Sequence, residues 1–167
     1  MELHGEISVQ APASTAWRVV GERFGHIGEW AAPIGCSTME EAPQVGAIRS
    51  CHIERFGPVP AGVIRERLIT YDPEQMRLEY VADSGLPSFF AKAVNRWLVT
   101  VDGPAACIVR THATLELRGP IVLFGPLLAW RFRADGARVL DELRHHIETG
   151  TAHPRKQEAM TRAARGT

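Results

Sequence analysis

The residues of this sequence best suited to chemistry are an arginine and a glutamate in two segments of alternating polar and apolar residues. Side chains of a strand alternate between its two faces. In 47–56, the face that holds Arg49 is interpreted as inward. In 63–71, Glu66 shares its face with apolar residues, while the opposite face carries two arginines. We therefore expect both side chains to point into the interior of the fold.

A carboxylate in an apolar interior can be accommodated in two ways, because an unpaired buried charge is costly. Paired with Arg49, Glu66 would form a structural ion pair or an anchor for a hydroxyl or carbonyl group of a ligand. Unpaired, and kept neutral by desolvation, it would transfer a proton in catalysis. The sequence favours the structural or anchoring role and leaves catalysis open.

The same alternation places mostly apolar side chains, and only a few polar ones, in the rest of the interior. It places Tyr80 inward on one strand, and Asn95 and Trp97 inward on the next. Apolar walls give affinity by burial at roughly 25 cal/mol per Å², and a few polar groups orient the bound molecule. We expect a large organic ligand, with Glu66, Arg49 and Tyr80 as the catalytic candidates. The residues predicted to contact the ligand are Cys51, Ile53, Ile64, Leu68, Leu78, Asn95, Trp97, Phe90, Phe132 and Gly136.

The predicted order of helices and strands brings these residues together. A strand over 2–10 precedes two short helices between 12 and 30, and six strands separated by Gly, Pro and Asp turns follow. The six are Cys36–Glu41, Ala47–Phe56, Val63–Tyr71, Arg77–Ala82, Val94–Asp102 and Cys107–Leu117. Apolar residues at helical spacing then predict a long helix that ends at 149–150. Gly136 lies in its middle, where glycine costs roughly 1 kcal/mol against alanine, so we expect a close approach to the sheet there or room for a cavity.

Short motifs along the chain carry a family resemblance. They are Ala11–Trp17 with Phe24-Gly25 and Trp30, Val45-Gly46-Ala-Ile-Arg49, Glu66-Arg67-Leu68 with Asp72, Leu78-Glu-Tyr80, Gly85-Leu-Pro87, and Leu140-Asp-Glu-Leu143 with Ile147-Glu148. In this order and spacing the chain resembles the START/Bet v 1-like (SRPBCC) superfamily, and within it the polyketide cyclase/dehydrase and lipid-transport branch, over roughly Leu3 to Gly150. The resemblance implies an α+β helix-grip fold. In that fold a curved seven-stranded antiparallel sheet wraps around a long C-terminal helix, and two short helices follow the first strand.

Two positions depart from the usual pattern of the family. Ser88-Phe89-Phe90-Ala91 stands where many relatives have an Asn-Tyr pair, and Thr111 or His112 stands where a tryptophan is often found in the last strand. In relatives both positions usually touch the ligand. The resemblance therefore does not transfer a relative's ligand to this chain.

Composition and charge argue against several other classes of protein. The chain has 167 residues, 45% of them apolar, and its nineteen Lys and Arg balance nineteen Asp and Glu, so it lacks the charge of a nucleic-acid binder. Cys36, Cys51 and Cys107 form no C-x-x-C pair, which argues against disulfides or structural zinc and favours a reducing, cytoplasmic location. No apolar run reaches about 18 residues, so no stable membrane insertion is expected. The sequence shows no metal-ligand spacing and no nucleotide-binding loop, and we expect no metal and no cofactor.

The chain divides by composition near residue 150. We assign residues 1–150 to one ligand-binding domain and 151–167 to a polar C-terminal tail, either solvated or partly helical. The segment Ile121–Trp130 is more apolar than an exposed loop should be, and exposed apolar surface usually marks an interface. It would form a rim of the cavity mouth together with 86–90 and 56–60, or it would pack in the core.

Three functional hypotheses remain open. The first is a cofactor-free polyketide cyclase/dehydratase that uses Glu66, Arg49 or Tyr80 for proton transfer and oxyanion stabilisation. The second is a carrier, sensor or sequestering protein that binds a polyketide-like, aromatic or lipid-like molecule without chemistry. The third is an interaction module that uses the segment 121–130, for example in a homodimer.

Overall fold

A seven-stranded antiparallel sheet forms most of the fold within the part of the chain that the computed structural model describes, residues 1–54 and 59–165. The strands are β1 (Glu2–Val9), β2 (Ile34–Met39), β3 (Ile48–Ile53), β4 (Gly62–Asp72), β5 (Arg77–Ser84), β6 (Phe90–Val101) and β7 (Cys107–Leu117). The helices are α1 (Ala13–Trp17), α2 (Gly125–Thr149) and α3 (Pro154–Arg165). Short helical turns at Arg18–Glu22 and Phe24–Glu29 follow α1, and another at Pro120–Phe124 precedes α2.

The strands follow one another in the order β1-β7-β6-β5-β4-β3-β2. The first strand therefore lies beside the last, with Glu2 opposite Thr114 and Val9 opposite Cys107. The other neighbours in the sheet are consecutive in the chain, and all pairs are antiparallel. This curved sheet, with a long helix after its last strand, is the helix-grip fold, and the predicted fold class is confirmed.

Helix α2 packs on the sheet because apolar residues recur along it at a spacing of three or four. Pro126 in its first turn suits a helix start, and Gly150 ends it in the left-handed conformation, with φ of +72°. Its buried apolar residues are Leu128, Ala129, Phe132, Leu140, Leu143 and Ile147. α2 is thereby held across the sheet, where it can form one wall of a cavity.

Two apolar clusters make up the core. The helical segment after β1 contributes Trp17, Val20 and Phe24 to the first cluster, which also holds Leu68 and Leu78 of the sheet. The second cluster joins the start of α2 to the other part of the sheet through Ile64, Phe90, Leu115, Leu128 and Phe132. The cavity described below is lined by members of both clusters.

Some boundaries differ from the sequence prediction. β6 begins at Phe90 rather than Val94, because residues from Phe90 onward already pair with β7 across a register shift near Lys92. β2 spans Ile34–Met39, two residues earlier than predicted. The predicted end of the third strand at Phe56, and all but two residues of the predicted rim segment 56–60, lie outside the described residues.

The tail after Gly150 is partly helical and mostly exposed, in agreement with one of the two predicted alternatives, but its start is docked on the fold. Residues 154–165 form α3, and Lys156 near its start is buried, with Nζ donating to the carbonyl oxygen of Ile34 at 2.5 Å. Arg155 donates to Glu142 Oε1 at 2.9 Å and to Asp141 Oδ2 at 2.7 Å, both on α2. The polar composition of the tail gave no indication of this docking. Long cationic side chains can bury their aliphatic part while the charged group binds oxygen atoms.

Candidate functional site

A cavity of about 360 Å³ lies between the sheet and α2. Its walls are mainly apolar and come from all seven strands, from α2 and from the helical turn at 24–29 with the segment after it. Arg133 and Ala137 of α2 line it and are also exposed, so the cavity reaches the surface beside this helix. A space of this size is at the lower end of the range for small-molecule sites.

Arg49 and Glu66 form a buried ion pair in the wall of this cavity. They are direct partners in the antiparallel register of β3 and β4, which places both side chains on the same face of the sheet. Arg49 donates to Glu66 Oε2 from Nε at 2.9 Å and from Nη2 at 2.6 Å. The inward orientation predicted for both residues is therefore observed, and the paired alternative is the one that the structure adopts.

Each of the three guanidinium nitrogens of Arg49 donates to a protein group. Nη1 donates to the carbonyl oxygen of Phe24 at 2.7 Å, and Cζ lies 3.7 Å from the centre of the Phe24 ring and 5.1 Å from that of Tyr80. Burial by itself would lower the pKa of Arg49, but the charge and hydrogen bonding of Glu66, with contributions from Cys51 and Tyr80, together outweigh it, and the pKa is raised. Arg49 thus stays charged and fixes the carboxylate in position.

The two neutral groups beside this pair stay protonated near neutral pH. Burial raises the pKa of Cys51 to about 12, and its Sγ donates to Glu66 Oε2 at 3.4 Å. Burial, and after it the charge of Glu66, raises the pKa of Tyr80. Tyr80 is therefore a hydrogen-bond donor in the cavity and not a base.

One carboxylate oxygen of Glu66 has no donor among the described residues. All three donors to Glu66 meet Oε2, and Oε1 accepts no hydrogen bond from the described residues. The side chain of Glu66 is 15% exposed, in contrast to 3% for Arg49, and Glu66 lines the cavity. Asn95, which lies opposite Tyr80 in the register of β5 and β6, also lines the cavity. The wall therefore offers an acceptor at Oε1 near a neutral amide and a phenol.

Most of the predicted site residues line the cavity. Those that do are Glu66, Arg49, Tyr80, Ile53, Ile64, Asn95, Trp97, Phe90, Phe132 and Gly136. Apart from its own helix backbone, no described atom lies within 4 Å of the position that a Cβ on Gly136 would occupy. Of the two reasons expected for this glycine, room for a cavity is the one that the structure supports.

Three predicted ligand contacts do not line the cavity. Cys51, Leu68 and Leu78 point to the inner face as expected, but they are buried in solid packing. Leu78 borders a small cleft with Val20 and Phe24 instead, because the helical segment after β1 covers this part of the sheet. Strand alternation identifies the face of a side chain but not which part of that face the cavity occupies.

Sequence reasoning also missed part of the wall. Ile27 of the helical turn at 24–29, Ala31 after it and Ile34 at the start of β2 also line the cavity, and no periodic signal marks them. Leu3 and Ile7 of β1 also line it, and their alternation with polar residues was a usable signal.

Two kinds of feature are absent from the described part of the chain. No group of three or more His, Cys, Asp or Glu side chains there is arranged to hold a metal ion. No helix among those residues has both the length and the apolar character needed to cross a membrane.

Comparison with known proteins agrees with this geometry. The family model described as polyketide cyclase/dehydrase and lipid transport matches residues 1–148. The chain belongs to this family. The predicted superfamily is thereby confirmed. The match ends before α3, which spans Pro154–Arg165. A search of curated protein sequences finds no match.

Solved structures with the same fold include proteins of several kinds. A START superfamily protein from Mycobacterium smegmatis has a TM-score of 0.74 at 17% identity, covering 90% of this chain and 99% of its own. An aromatase/cyclase from a Streptomyces species has a TM-score of 0.68 at 13% identity, covering 92% and 99%. A truncated norcoclaurine synthase from Thalictrum flavum has a TM-score of 0.67 at 16% identity, covering 89% and 94%. At these identities the likeness shows the shared fold alone.

Proposed function

We propose that this family member binds a hydrophobic small molecule, of polyketide-like, aromatic or lipid-like type, in the cavity between sheet and α2. The observation that carries the proposal is a space of about 360 Å³ with mainly apolar walls, lined by a carboxylate that Arg49 holds in position through Oε2. Burial of apolar ligand surface supplies affinity at roughly 25 cal/mol per Å². The family match and the fold support this class of ligand.

Glu66 is proposed to orient the ligand through a hydrogen bond. Arg49 and Cys51 hold Oε2, so the carboxylate does not have to reorganise when a ligand arrives. Oε1 then accepts a hydrogen bond from a ligand hydroxyl. A hydrogen bond to a charged group contributes about 1.5–3 kcal/mol, which makes a hydroxylated aromatic ligand preferable to its parent hydrocarbon by at least about tenfold.

A cofactor-free cyclase/dehydratase is the second candidate, favoured by the presence of Glu66 and Tyr80 in one cavity. Glu66 Oε1 would accept a C–H proton from a bound polyketone, and the carbanion would attack a carbonyl carbon of the same chain. Tyr80, which stays protonated, would donate a hydrogen bond to the oxyanion that forms. Glu66 would return this proton to the oxyanion, which becomes a hydroxyl group. It would then accept a second proton from the attacking carbon and pass it to the departing hydroxyl, so that a carbon–carbon double bond forms, water leaves and Glu66 is again a carboxylate. Arg49 is left in a positioning role, because its guanidinium is occupied by Phe24 and Glu66.

The binding proposal is tested by closing the cavity. Gly136→Phe places a ring in the space beside α2, and Gly136→Ala is the matched control that adds only a methyl group. Titration with naphthol by calorimetry should show binding to the wild type and the alanine variant and a loss of at least about tenfold in the phenylalanine variant. Equal affinity in all three proteins would overturn the proposal. Circular dichroism serves as the control that each variant is folded.

The role of Glu66 is tested with a ligand pair. Naphthol and naphthalene differ only in the hydroxyl group, and the wild type should prefer naphthol. Glu66→Gln should lose most of that preference while keeping its affinity for naphthalene, because a neutral amide oxygen is a weaker acceptor than a carboxylate. An unchanged preference would remove Glu66 from the binding site. Loss of one water from a linear polyketone, in the wild type and not in Glu66→Gln, would assign the cyclase activity.

A further inference from the structure

The segment before and at the start of α2 exposes large apolar side chains. They are Val122, Leu123, Phe124, Leu127 and Trp130, which we call the apolar patch; Leu123 is 83% and Trp130 63% exposed. Leu127 and Trp130 are three residues apart and lie on one side of α2, while Leu128 and Phe132 are buried on the other. Of the two alternatives predicted for the segment 121–130, packing in the core is wrong for these five side chains. Contiguous exposed apolar surface of this kind is the mark of an interaction site.

The charge around the apolar patch indicates its partner. Residues 118–138 contain four arginines and one aspartate, a net charge of +3 in a chain whose net charge is +0. Asp135 is buried and is paired with Arg131 at 2.9 Å and with Arg138 at 3.6 Å. Arg118 and Arg133 are exposed at either end of the patch. A partner that covers the patch must therefore be apolar and negatively charged at its surface.

We propose that the apolar patch docks on an anionic lipid surface, with α2 beginning at the level of the headgroups. Leucine and phenylalanine side chains enter the acyl boundary, Trp130 occupies the interfacial layer, and the arginines contact lipid phosphates. In a symmetric dimer through the same patch, the net charge of +3 on residues 118–138 of one copy would face the same charge on the other copy, and this repulsion opposes association. This inference does not rest on the cavity being occupied.

The docking site is continuous with the cavity wall. Trp130 is followed on α2 by Phe132, Arg133 and Gly136, all of which line the cavity. A lipid surface bound at Trp130 thus lies within two helical turns of the ligand site. The arrangement would let an apolar ligand pass between membrane and cavity over a short distance.

Trp130 provides a selective optical test. The other tryptophans, Trp17, Trp30 and Trp97, are all at most 9% exposed, so a change in emission on adding vesicles reports Trp130. Phosphatidylcholine vesicles that contain phosphatidylserine should shift the emission to the blue, and pure phosphatidylcholine vesicles should give a much smaller shift. Trp130→Phe should lose the shift and still sediment with the anionic vesicles.

Substitutions separate the apolar and the ionic contributions. Leu123→Ser should weaken co-sedimentation with anionic vesicles by about tenfold, because an apolar side chain no longer enters the bilayer. Val101→Ser is the matched control, since Val101 is 70% exposed on β6 and outside the patch, and it should bind like the wild type. Arg118→Gln should weaken binding by about fivefold, and added salt should reduce that difference.

Three results would overturn the proposal. The first is the absence of binding to vesicles that contain phosphatidylserine, and the second is equal binding to neutral and anionic vesicles. The third is a concentration-dependent dimer in light scattering that Leu123→Ser abolishes and Val101→Ser does not, which would assign the patch to a second copy of the chain.

Discussion

Arg49 and Glu66 face each other across β3 and β4, with Nη2 of the arginine 2.6 Å from Oε2 of the glutamate. The arginine is the more deeply buried partner and also holds the carbonyl oxygen of Phe24. The glutamate lines the cavity, and its Oε1 accepts no hydrogen bond from the described residues. The same pair therefore stabilises the sheet and positions the polar group of the candidate site, and the two contributions can be separated by mutation.

A double-mutant cycle measures the pair. Removing one partner of a buried ion pair leaves an uncompensated charge and costs about 3–5 kcal/mol, whereas replacing both by apolar residues is often far less destabilising. We expect Arg49→Met and Glu66→Met to lower the free energy of unfolding strongly, and the double variant to lose much less than the sum. Urea unfolding checks this. Additive effects of the two substitutions would show that the pair is not coupled.

The cysteines should react very differently in the native protein. Cys36 is exposed, whereas Cys51 and Cys107 are buried, and burial raises the pKa of both, to about 12 for Cys51. Because the thiolate is the nucleophile, a disulfide reagent at pH 8 should modify Cys36 rapidly and the other two only after unfolding. Cys36→Ser is the control and should show no fast phase. A fast phase in that variant would contradict the buried positions of the other two.

The raised pKa of Cys51 also makes the stability of the fold depend on pH. Above the ordinary pKa of 9.0 the unfolded chain loses the proton first, and the folded protein holds it up to about 12. The free energy of unfolding should therefore decrease as the pH rises through this window. Unfolding of Cys51→Ala should show a smaller decrease over the same range, and an identical pH dependence would contradict the assignment.

Asp141 should make the docking of α3 sensitive to acid. A hydrogen bond from Arg155 lowers the pKa of Asp141 below its usual 3.8, and the charge of Arg155 adds to the effect. The stability that this contact adds is present above pH 3.8 and is lost as the pH falls through the lowered pKa. At neutral pH, Asp141→Asn should be less stable than the wild type by about 0.5–1 kcal/mol, since the pair is partly exposed. In strong acid the two melting temperatures should converge.

A matched aspartate distinguishes this effect from general acid unfolding. Asp83 forms an ion pair with Arg67 on the sheet and does not touch α3. Limited proteolysis of residues 154–165 at neutral pH should be faster in Asp141→Asn than in Asp83→Asn. Equal rates would mean that Asp141 does not hold α3.

Gly85 should tolerate no side chain. It adopts φ of +89°, and a Cβ there would lie 1.9 Å from the carbonyl oxygen of Val63. Gly103 has a similar φ of +100°, but no described atom lies within 4 Å of its Cβ position. Gly103→Ala should cost about 1–2 kcal/mol from the backbone conformation alone. Gly85→Ala should cost clearly more, and equal melting temperatures for the two variants would contradict the close approach to Val63.

Strand alternation was enough to predict the orientation of the polar site residues. Arg49, Glu66 and Tyr80 were all expected to point inward, and all three line the cavity. The prediction succeeds because the two-residue period of a strand is a local property, and each of these strands has one apolar face. The two reasons proposed for Gly136 could not be separated from sequence, because the space beside it depends on the sheet that faces α2.

The sequence by itself indicated the α+β helix-grip fold, through the family resemblance, and it predicted that Arg49 and Glu66 lie on the inward face of two central strands. Only the tertiary structure decided that these two residues pair, and that Leu68 and Leu78 pack in the core while Ile53 and Ile64 reach the cavity. It also decided that the apolar patch is exposed and that Lys156 is buried. The physical reason is that alternation and helical periodicity act between near neighbours in the chain. Depth along a face is set instead by elements far apart in sequence, such as α2, α3 and the helical segment over β4 and β5.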